Sequence, residues 1–157
     1  LDTIPGVGVT AARAIIAEIG LDMTRFPTPA HLTSWARFAP GVNQSAGKTK
    51  GRGSTGHGNR YLARALGEAA LAASRTNTFL GERYHRIARR RGKKRALVAV
   101  GRSILVIIWH LLSNPNATFV DLGPEHYTNR VGTQRAVRGH IRGLNALGYT
   151  VTLSPAA

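Results

Sequence analysis

Two serines lie in a segment of glycines and cations whose composition suits chemistry on a phosphate. Residues 40–64 contain six glycines, five Lys or Arg and no acid. Glycine lets the main chain come close to a phosphate and leaves its N–H groups unhindered. Ser45 is therefore a candidate nucleophile, with Lys48, Lys50 and Arg52 beside it to bind phosphoryl oxygens. The alternative for Ser45 is a turn residue whose hydroxyl bonds its own backbone.

Two further interpretations of this segment can be weighed from its spacing. Residues 41–49 read GVNQSAGKT, with five residues between the first glycine and the Gly-Lys-Thr. A nucleotide-binding P-loop has four residues there and follows a buried strand, whereas this segment follows an expected helix that ends before Pro40. The spacing therefore argues against an ATPase. Ser54 is a second candidate nucleophile, again with a plain turn residue as the alternative.

The charge of the chain indicates a polyanionic partner. The 157 residues include 22 Lys or Arg and 7 Asp or Glu, a net charge of +15. Sixteen basic residues and two acids lie between Arg37 and Arg102. Arginine outnumbers lysine eighteen to four, and arginine can bind a phosphate through two nitrogens at once. This clustering predicts binding of nucleic acid, with a merely solvated cationic surface as the alternative.

Other classes of protein find little support in the composition. The chain has no cysteine, and its six histidines show no pair at metal-ligand spacing, so we expect no metal site in this chain. No signal peptide is evident, and the most apolar run, residues 104–112, is too short to span a bilayer, so we expect no membrane partner. Because the chain opens at Leu1 and inside a motif, we expect a fragment of a longer protein.

The opening residues have the spacing of a helix-hairpin-helix motif. An Ile-Pro-Gly-Val-Gly sequence over residues 4–8 is followed by Ala12 and by two isoleucines. Gly6 and Gly8 would permit a tight turn with positive φ and would expose backbone N–H groups to one phosphate. Thr10 would cap the helix that follows. The alternative is a helical corner that packs only against protein.

Hydrophobic periodicity predicts an all-α fold, a helical bundle with this hairpin element and the Gly-rich basic loop. We expect Trp35 in the core, a buried helix at the centre of the bundle over residues 96–112, and a short strand over 149–153. For residues 104–108 a buried strand is the rival assignment. The other expected helices cover residues 28–38, 59–75, 79–91 and 133–147.

Three parts are expected along the chain: the hairpin element over 1–27 with its first helix cut off, a helical domain over 28–113 with the basic loop at 40–58, and a connector with a final helix over 114–157. Arg60 and Arg64 lie one helical turn apart and can face the same phosphate track. Every residue from 89 to 95 except Gly92 is basic. This run, with Arg89, Arg90 and Arg91 on the outward face of its helix, favours a phosphate groove or an RNA contact.

The order of these motifs resembles a known family. The hairpin, a short helix ending in Phe-Ala-Pro-Gly at residues 38–41, then QSAGK at 44–48 and GHGNRYL at 56–62, are similar to the C-terminal transposase domain of DEDD-type insertion-sequence recombinases. That group includes the pilin-gene invertases and the bridge-RNA-guided recombinases. The resemblance covers roughly residues 1–112.

The resemblance implies a DNA recombinase that cuts and rejoins strands, with Ser45 attacking the scissile phosphate. It also implies a separate N-terminal RNase-H-like domain whose four acids hold Mg²⁺, so no cofactor is expected in this chain. The implied partners are DNA, a structured guide RNA and further copies of the full-length protein, in the prokaryotic cytoplasm. Ala46 stands where the family commonly has a small residue after its serine. The competing hypothesis is a non-catalytic helix-hairpin-helix module that only binds nucleic acid.

Overall fold

The computed structural model describes residues 1–40, 44–45, 48–49, 56–130 and 133–154. The described chain forms two compact units, residues 1–124 and residues 125–157. Unit 1 contains helices α1 to α5, a single 3-10 turn at Met23–Arg25, and two antiparallel two-residue strands. Its elements are α1 (Val9–Ile19), α2 (Pro29–Trp35), β1 (Gln44–Ser45), β2 (Lys48–Thr49), α3 (Arg60–Ala73), α4 (Phe79–Arg91) and α5 (Lys93–Ser113).

The predicted all-α class is confirmed, and α5 is the helix at the centre of unit 1. It packs against α2, α3 and α4, while α1 packs against α3. Residues one or two turns apart along α5, among them Val100, Ile104 and Ile108, are fully buried. Residues 104–108 are therefore helical, and the strand assignment for them is wrong. Half of the remaining buried apolar side chains come from α1 and from the Leu and Ala face of α3.

Helix α5 is longer than the apolar run noted in the sequence. The helix has 21 residues, and by length and composition alone it is apolar enough to cross a membrane, unlike the shorter run seen in the sequence. Its contacts with α2, α3 and α4 account for its apolar character as that of a core helix. Trp109 fixes its far end, because the indole Nε1–H donates a hydrogen bond of 2.8 Å to the carbonyl oxygen of Phe26.

The start of the chain differs in detail from a helical hairpin. Residues 2–6 form turns, and no helix precedes Gly6 in the described chain. Gly6 has φ +85, as predicted, but Gly8 has φ −78, so only the first of the two glycines needs a left-handed conformation. Helix α1 begins at Val9 with Gly8 as its N-cap, so the expected capping role of Thr10 is wrong.

Helix α2 is shorter than predicted. Thr28 and Pro29 begin it as expected, but it ends at Trp35 rather than near Phe38. Arg37 adopts φ +60, and the N–H groups of Arg37 and Phe38 bond back to the carbonyls of Ser34 and Thr33. This is the pairing of a Schellman helix end, which reverses the chain. Trp35 is 44% exposed, so the expectation that it lies in the core is wrong.

Unit 2 contains α6 (His126–Arg130) and α7 (Thr133–Ala146). The short α6 was predicted as part of a connector. Helix α7 is one residue shorter than predicted. Gly148 follows it with φ +88, and the Tyr149 N–H donates a hydrogen bond to the Leu144 carbonyl oxygen. Residues 149–153 form no strand, which corrects the prediction made from their alternating pattern. An isolated strand would have no partner for its backbone groups.

Candidate nucleic-acid interface

The two ends of the glycine-rich segment lie against each other. A Cβ added to Gly58 would come 3.0 Å from both Cβ and Cγ of Arg37 and 3.1 Å from the Ala36 carbonyl oxygen. Any residue with a Cβ would have to push the Arg37 side chain or the end of α2 aside by a few tenths of an ångström, so glycine suits this close approach. The chain that returns at Gly58 therefore lies directly against the end of α2.

Within that loop the structure describes the backbone of four residues. Gln44 pairs with Thr49 and Ser45 pairs with Lys48 in antiparallel register. The candidate nucleophile and the nearest candidate phosphate ligand are thus opposite each other on a two-residue ladder. Lys50, Arg52 and Ser54 lie outside the described residues.

Asn59 anchors the carboxyl end of the segment. Its side-chain oxygen accepts hydrogen bonds from the N–H groups of Tyr61 and Leu62, at 2.9 and 3.2 Å, which makes it the N-cap of α3. Its amide nitrogen donates a hydrogen bond to the carboxylate of Glu18 on α1. The Asn59 side chain therefore links α1 to the start of α3. Because it caps α3, it also sets the position of Arg60, the first residue of that helix.

Arg60 and Arg64 lie on the exposed side of the first two turns of α3. The Arg60 guanidinium lies 4.8 Å from the centre of the Tyr61 ring and donates a 2.8 Å hydrogen bond to the Tyr61 hydroxyl. Arg64 Nε donates to Glu68 at 2.9 Å, and this hydrogen bond raises the pKa of the Arg64 guanidinium above its ordinary value. Because both partners of that pair are exposed, water screens it and a phosphate can compete for Arg64.

The corner between α4 and α5 gathers the basic run on one surface. Arg89, Arg90 and Arg91 are exposed in the last turn of α4, where Arg89 approaches Glu82 at 3.5 Å. Gly92 turns the chain, and Lys93, Lys94 and Arg95 are exposed in the first turn of α5. Cations are unfavourable at the positive end of a helix, so the charges of these three residues cost α5 some stability. An anionic ligand would offset that cost.

A cavity of about 220 Å³ lies between α3, α5 and the end of α2. Ala63 and Gly67 of α3 and Leu97 and Val98 of α5 form its apolar wall, and Arg37 lines it together with Gly56 and Gly58. Ala63 and Gly67 follow Arg60 at helical spacing, so the cavity and the exposed arginines share one side of α3.

The hairpin residues divide between protein and solvent. Gly6 faces α3, because a Cβ on it would lie 2.2 Å from the Ala69 carbonyl oxygen and 2.6 Å from the Ala73 nitrogen. Gly8 and Thr10 are exposed, and no atom lies within 4 Å of a Cβ built on Gly8. Gly8 and Thr10 are thus the members of the motif that are free to meet a phosphate.

Two residues of this interface escaped the sequence analysis. Arg37 occupies the position of a helix end that is usually glycine, and no pattern around it signals a left-handed conformation. Glu18 lies forty-one residues before its partner Asn59, and this separation hides the pair from any local pattern. Among the described residues, no three His, Asp or Glu side chains come together in a group that could hold a metal ion.

Comparison with known proteins places the chain in a family. Residues 1–86 match the profile described as the transposase IS116/IS110/IS902 family, a stretch that includes Ser45, both ends of its segment and all of α3. The chain belongs to the IS116/IS110/IS902 transposase family.

A curated relative agrees with this assignment. The chain is 35% identical over 114 residues to a Streptomyces coelicolor protein called the insertion element IS110 uncharacterized 43.6 kDa protein. The match covers 71% of this chain and 28% of that relative, so the chain corresponds to less than a third of its length. No solved structure matches the chain.

Proposed function

We propose that this chain is the DNA-binding and serine-supplying domain of an insertion-sequence transposase. The observation that carries the proposal is the family match over residues 1–86, which spans Ser45 and the elements that anchor its segment. The exposed cations on α3 and at the α4–α5 corner support a polyanionic ligand lying along unit 1. Contacts of this kind position the phosphate backbone without reading sequence.

Ser45 acts in this proposal as the nucleophile. Its hydroxyl oxygen attacks the scissile phosphorus and loses its proton, a Ser–O–P bond forms, and the bond from phosphorus to the leaving deoxyribose oxygen breaks as that oxygen takes up a proton. The phosphoserine bond keeps the energy needed to rejoin the strand. Lys48, opposite Ser45 on the ladder, together with Lys50 and Arg52, would bind the phosphoryl oxygens.

The site is proposed to be completed by another domain. The described residues contain no acidic cluster, and a DEDD-type domain would supply both the general base and Mg²⁺. That cation would neutralise charge on the phosphoryl oxygens. We further propose an oligomer of the full-length protein and a structured guide RNA as a second partner, for which the α4–α5 corner offers a cationic surface.

Replacement of Ser45 by alanine in the full-length protein tests the nucleophile. With a nicked substrate that traps the intermediate, we expect the covalent protein–DNA product to disappear while equilibrium DNA affinity stays within about twofold, because one neutral hydroxyl is lost from a contact made mainly by cations. Ser54→Ala is the matched control and should give wild-type amounts of product. A covalent product formed by Ser45→Ala and lost in Ser54→Ala would transfer the role to Ser54. A covalent product formed by both variants would exclude both serines as the nucleophile. This chain would then have the competing function, that of a non-catalytic helix-hairpin-helix binding module.

A further inference from the structure

Arg37 is the one described residue other than glycine with a left-handed backbone. Its φ is +60, and it occupies the C′ position of the Schellman end of α2, where glycine is the usual residue. A side chain with a Cβ is strained in this region, and strain of this kind persists where the surrounding structure imposes it. The chain thus keeps an arginine where a glycine would be more stable.

The stem of this arginine lies along the chain that returns to the bundle. It runs beside Gly58, where an added Cβ would lie 3.0 Å from Cβ and Cγ of Arg37, and beside Gly56, where the corresponding distance to Cδ is 4.0 Å. The residue lines the mouth of the 220 Å³ cavity and is exposed. The Arg37 side chain is therefore positioned beside Gly56 and Gly58, where the segment that contains Ser45 ends.

The guanidinium has no protein partner among the described residues. No ion pair or side-chain hydrogen bond joins it to any of them, whereas Arg60, Arg64 and Arg89 each contact a neighbouring side chain. An exposed cation without a partner among the described residues adds little to the stability of the fold, so it does not offset the strain of its backbone. The cost is recovered if a ligand anion meets this group.

We propose that Arg37 is a phosphate-binding residue of the candidate nucleic-acid interface, contacting a phosphodiester of the bound DNA strand at the place where the chain returns to the bundle at Gly58. The inference rests on the proposed function for the identity of the DNA strand. Its planar, forked guanidinium donates two parallel hydrogen bonds to two oxygens of one phosphate and so fixes the orientation of the bound strand. The apolar wall of Ala63, Gly67, Leu97 and Val98 behind it leaves room for the adjoining sugar or base.

Arg37→Gly in the full-length protein separates this role from a structural one. Glycine relieves the strain, so we expect the thermal midpoint to stay equal or to rise. The rate of covalent intermediate formation should fall at least tenfold at saturating DNA, and the slope of log affinity against log salt should decrease by about one. Arg37→Asn, which also tolerates this backbone, should behave in the same way. Arg37→Lys keeps the charge without the fork, so the salt slope should be restored and the rate only in part.

Arg75→Ala is the matched control, because Arg75 is exposed just beyond the other end of α3, and its rate should change less than twofold. A wild-type rate and salt slope for Arg37→Gly, with Ser45→Ala inactive, would overturn the role of Arg37 and leave the proposed function intact. An active Ser45→Ala would overturn the proposed function. The salt slope would then still decide whether Arg37 binds phosphate, because that measurement needs no chemistry.

Discussion

Gly6 and Gly8 look equivalent in the sequence, and the structure separates them. Gly6 has φ +85, and the backbone of α3 at Ala69 and Ala73 is too close to it to leave room for a Cβ. Gly8 has an extended backbone, and a Cβ added to it would meet no atom within 4 Å. The motif therefore depends on its first glycine for the fold, and its second is free for a ligand.

We expect Gly6→Ala to lower the free energy of unfolding by about 2–5 kcal/mol, because it adds both backbone strain and a clash that only movement of α3 can relieve. Gly8→Ala should change it by less than about 1 kcal/mol, since its φ and ψ suit any residue. Urea unfolding followed by circular dichroism measures both. Equal losses in the two variants would show that the contact of Gly6 with α3 is wrong.

Asp22 gives a prediction that depends on pH. The Thr24 hydroxyl donates a 2.6 Å hydrogen bond to its carboxylate and the Thr24 N–H a second of 2.9 Å, and these lower the pKa of Asp22 below its ordinary value. A lowered pKa in the folded state stabilises the protein above the pKa of the unfolded chain, about 3.9, and this contribution is lost as the pH falls through the folded pKa.

Thr24→Val removes the stronger of these two bonds while keeping the shape of the side chain. We expect the carboxyl resonance of Asp22 to titrate at a higher pH in the variant. The thermal midpoint of the variant should lie below that of the wild type at pH 5 to 7, and the gap should close as the pH falls below about 4. A gap that widens in acid would contradict the assigned bonding.

At the scale of the elements, α5 decides whether unit 1 folds. Ile108 is fully buried on it, so Ile108→Ala should cost about 2–5 kcal/mol of unfolding free energy through lost burial and the cavity left behind. Leu71 on α3 is 44% exposed, and Leu71→Ala should cost less than about 1 kcal/mol. Chemical denaturation of the two variants, with their free energies of unfolding compared, tests this. Similar losses would mean that α5 is not the central helix.

Periodicity predicts best those helices that bury one apolar face and expose the opposite face. Helices α3 and α4 were predicted to within two residues at each end, because their apolar residues recur at helical spacing; the structure adds that Asn59 and Thr78 cap them. The end of α2 was missed because it depends on Arg37, whose conformation is imposed by the chain that returns at Gly58. Contacts between distant parts of the chain, such as Glu18 with Asn59, have no local signal.

The two tryptophans also differ in how well their burial could be predicted from the sequence. Trp109 is half-buried on α5 and bonded to the Phe26 carbonyl, as a core helix would require. Trp35 fits the apolar stripe of α2, yet the early end of that helix leaves it 44% exposed, with its ring 5.4 Å from the ring of Phe26. The residues of the candidate site stay a prediction from the sequence, whereas the contacts that anchor its segment at Arg37, Gly58 and Asn59 came only from the structure.

At the scale of the whole molecule, charge governs the expected response to salt. The net charge is +15, and the cations of α3 and of the α4–α5 corner are exposed. DNA affinity should therefore fall steeply as salt is raised, since each phosphate neutralised releases counterions.

Replacing Arg90 and Arg91 together by alanine should lower the slope of log affinity against log salt by about two, without changing the thermal midpoint, because both side chains are exposed. Fluorescence anisotropy with labelled duplex over a salt series measures the slope. A slope near zero for the unaltered protein would reject the phosphate-binding surface, and an unchanged slope in the double variant would remove the α4–α5 corner from it.

The position of Phe26 between the two tryptophans gives the protein a pair of built-in optical probes. Trp35 contacts the Phe26 ring, Trp109 contacts its carbonyl oxygen, and the chain has no other tryptophan. With Trp109 replaced by phenylalanine, the remaining emission comes from the solvent-facing indole two residues before Arg37. With Trp35 replaced instead, it comes from the indole bonded within the bundle. Quenching by DNA in the first protein and not in the second would place the ligand beside the loop without any attached dye.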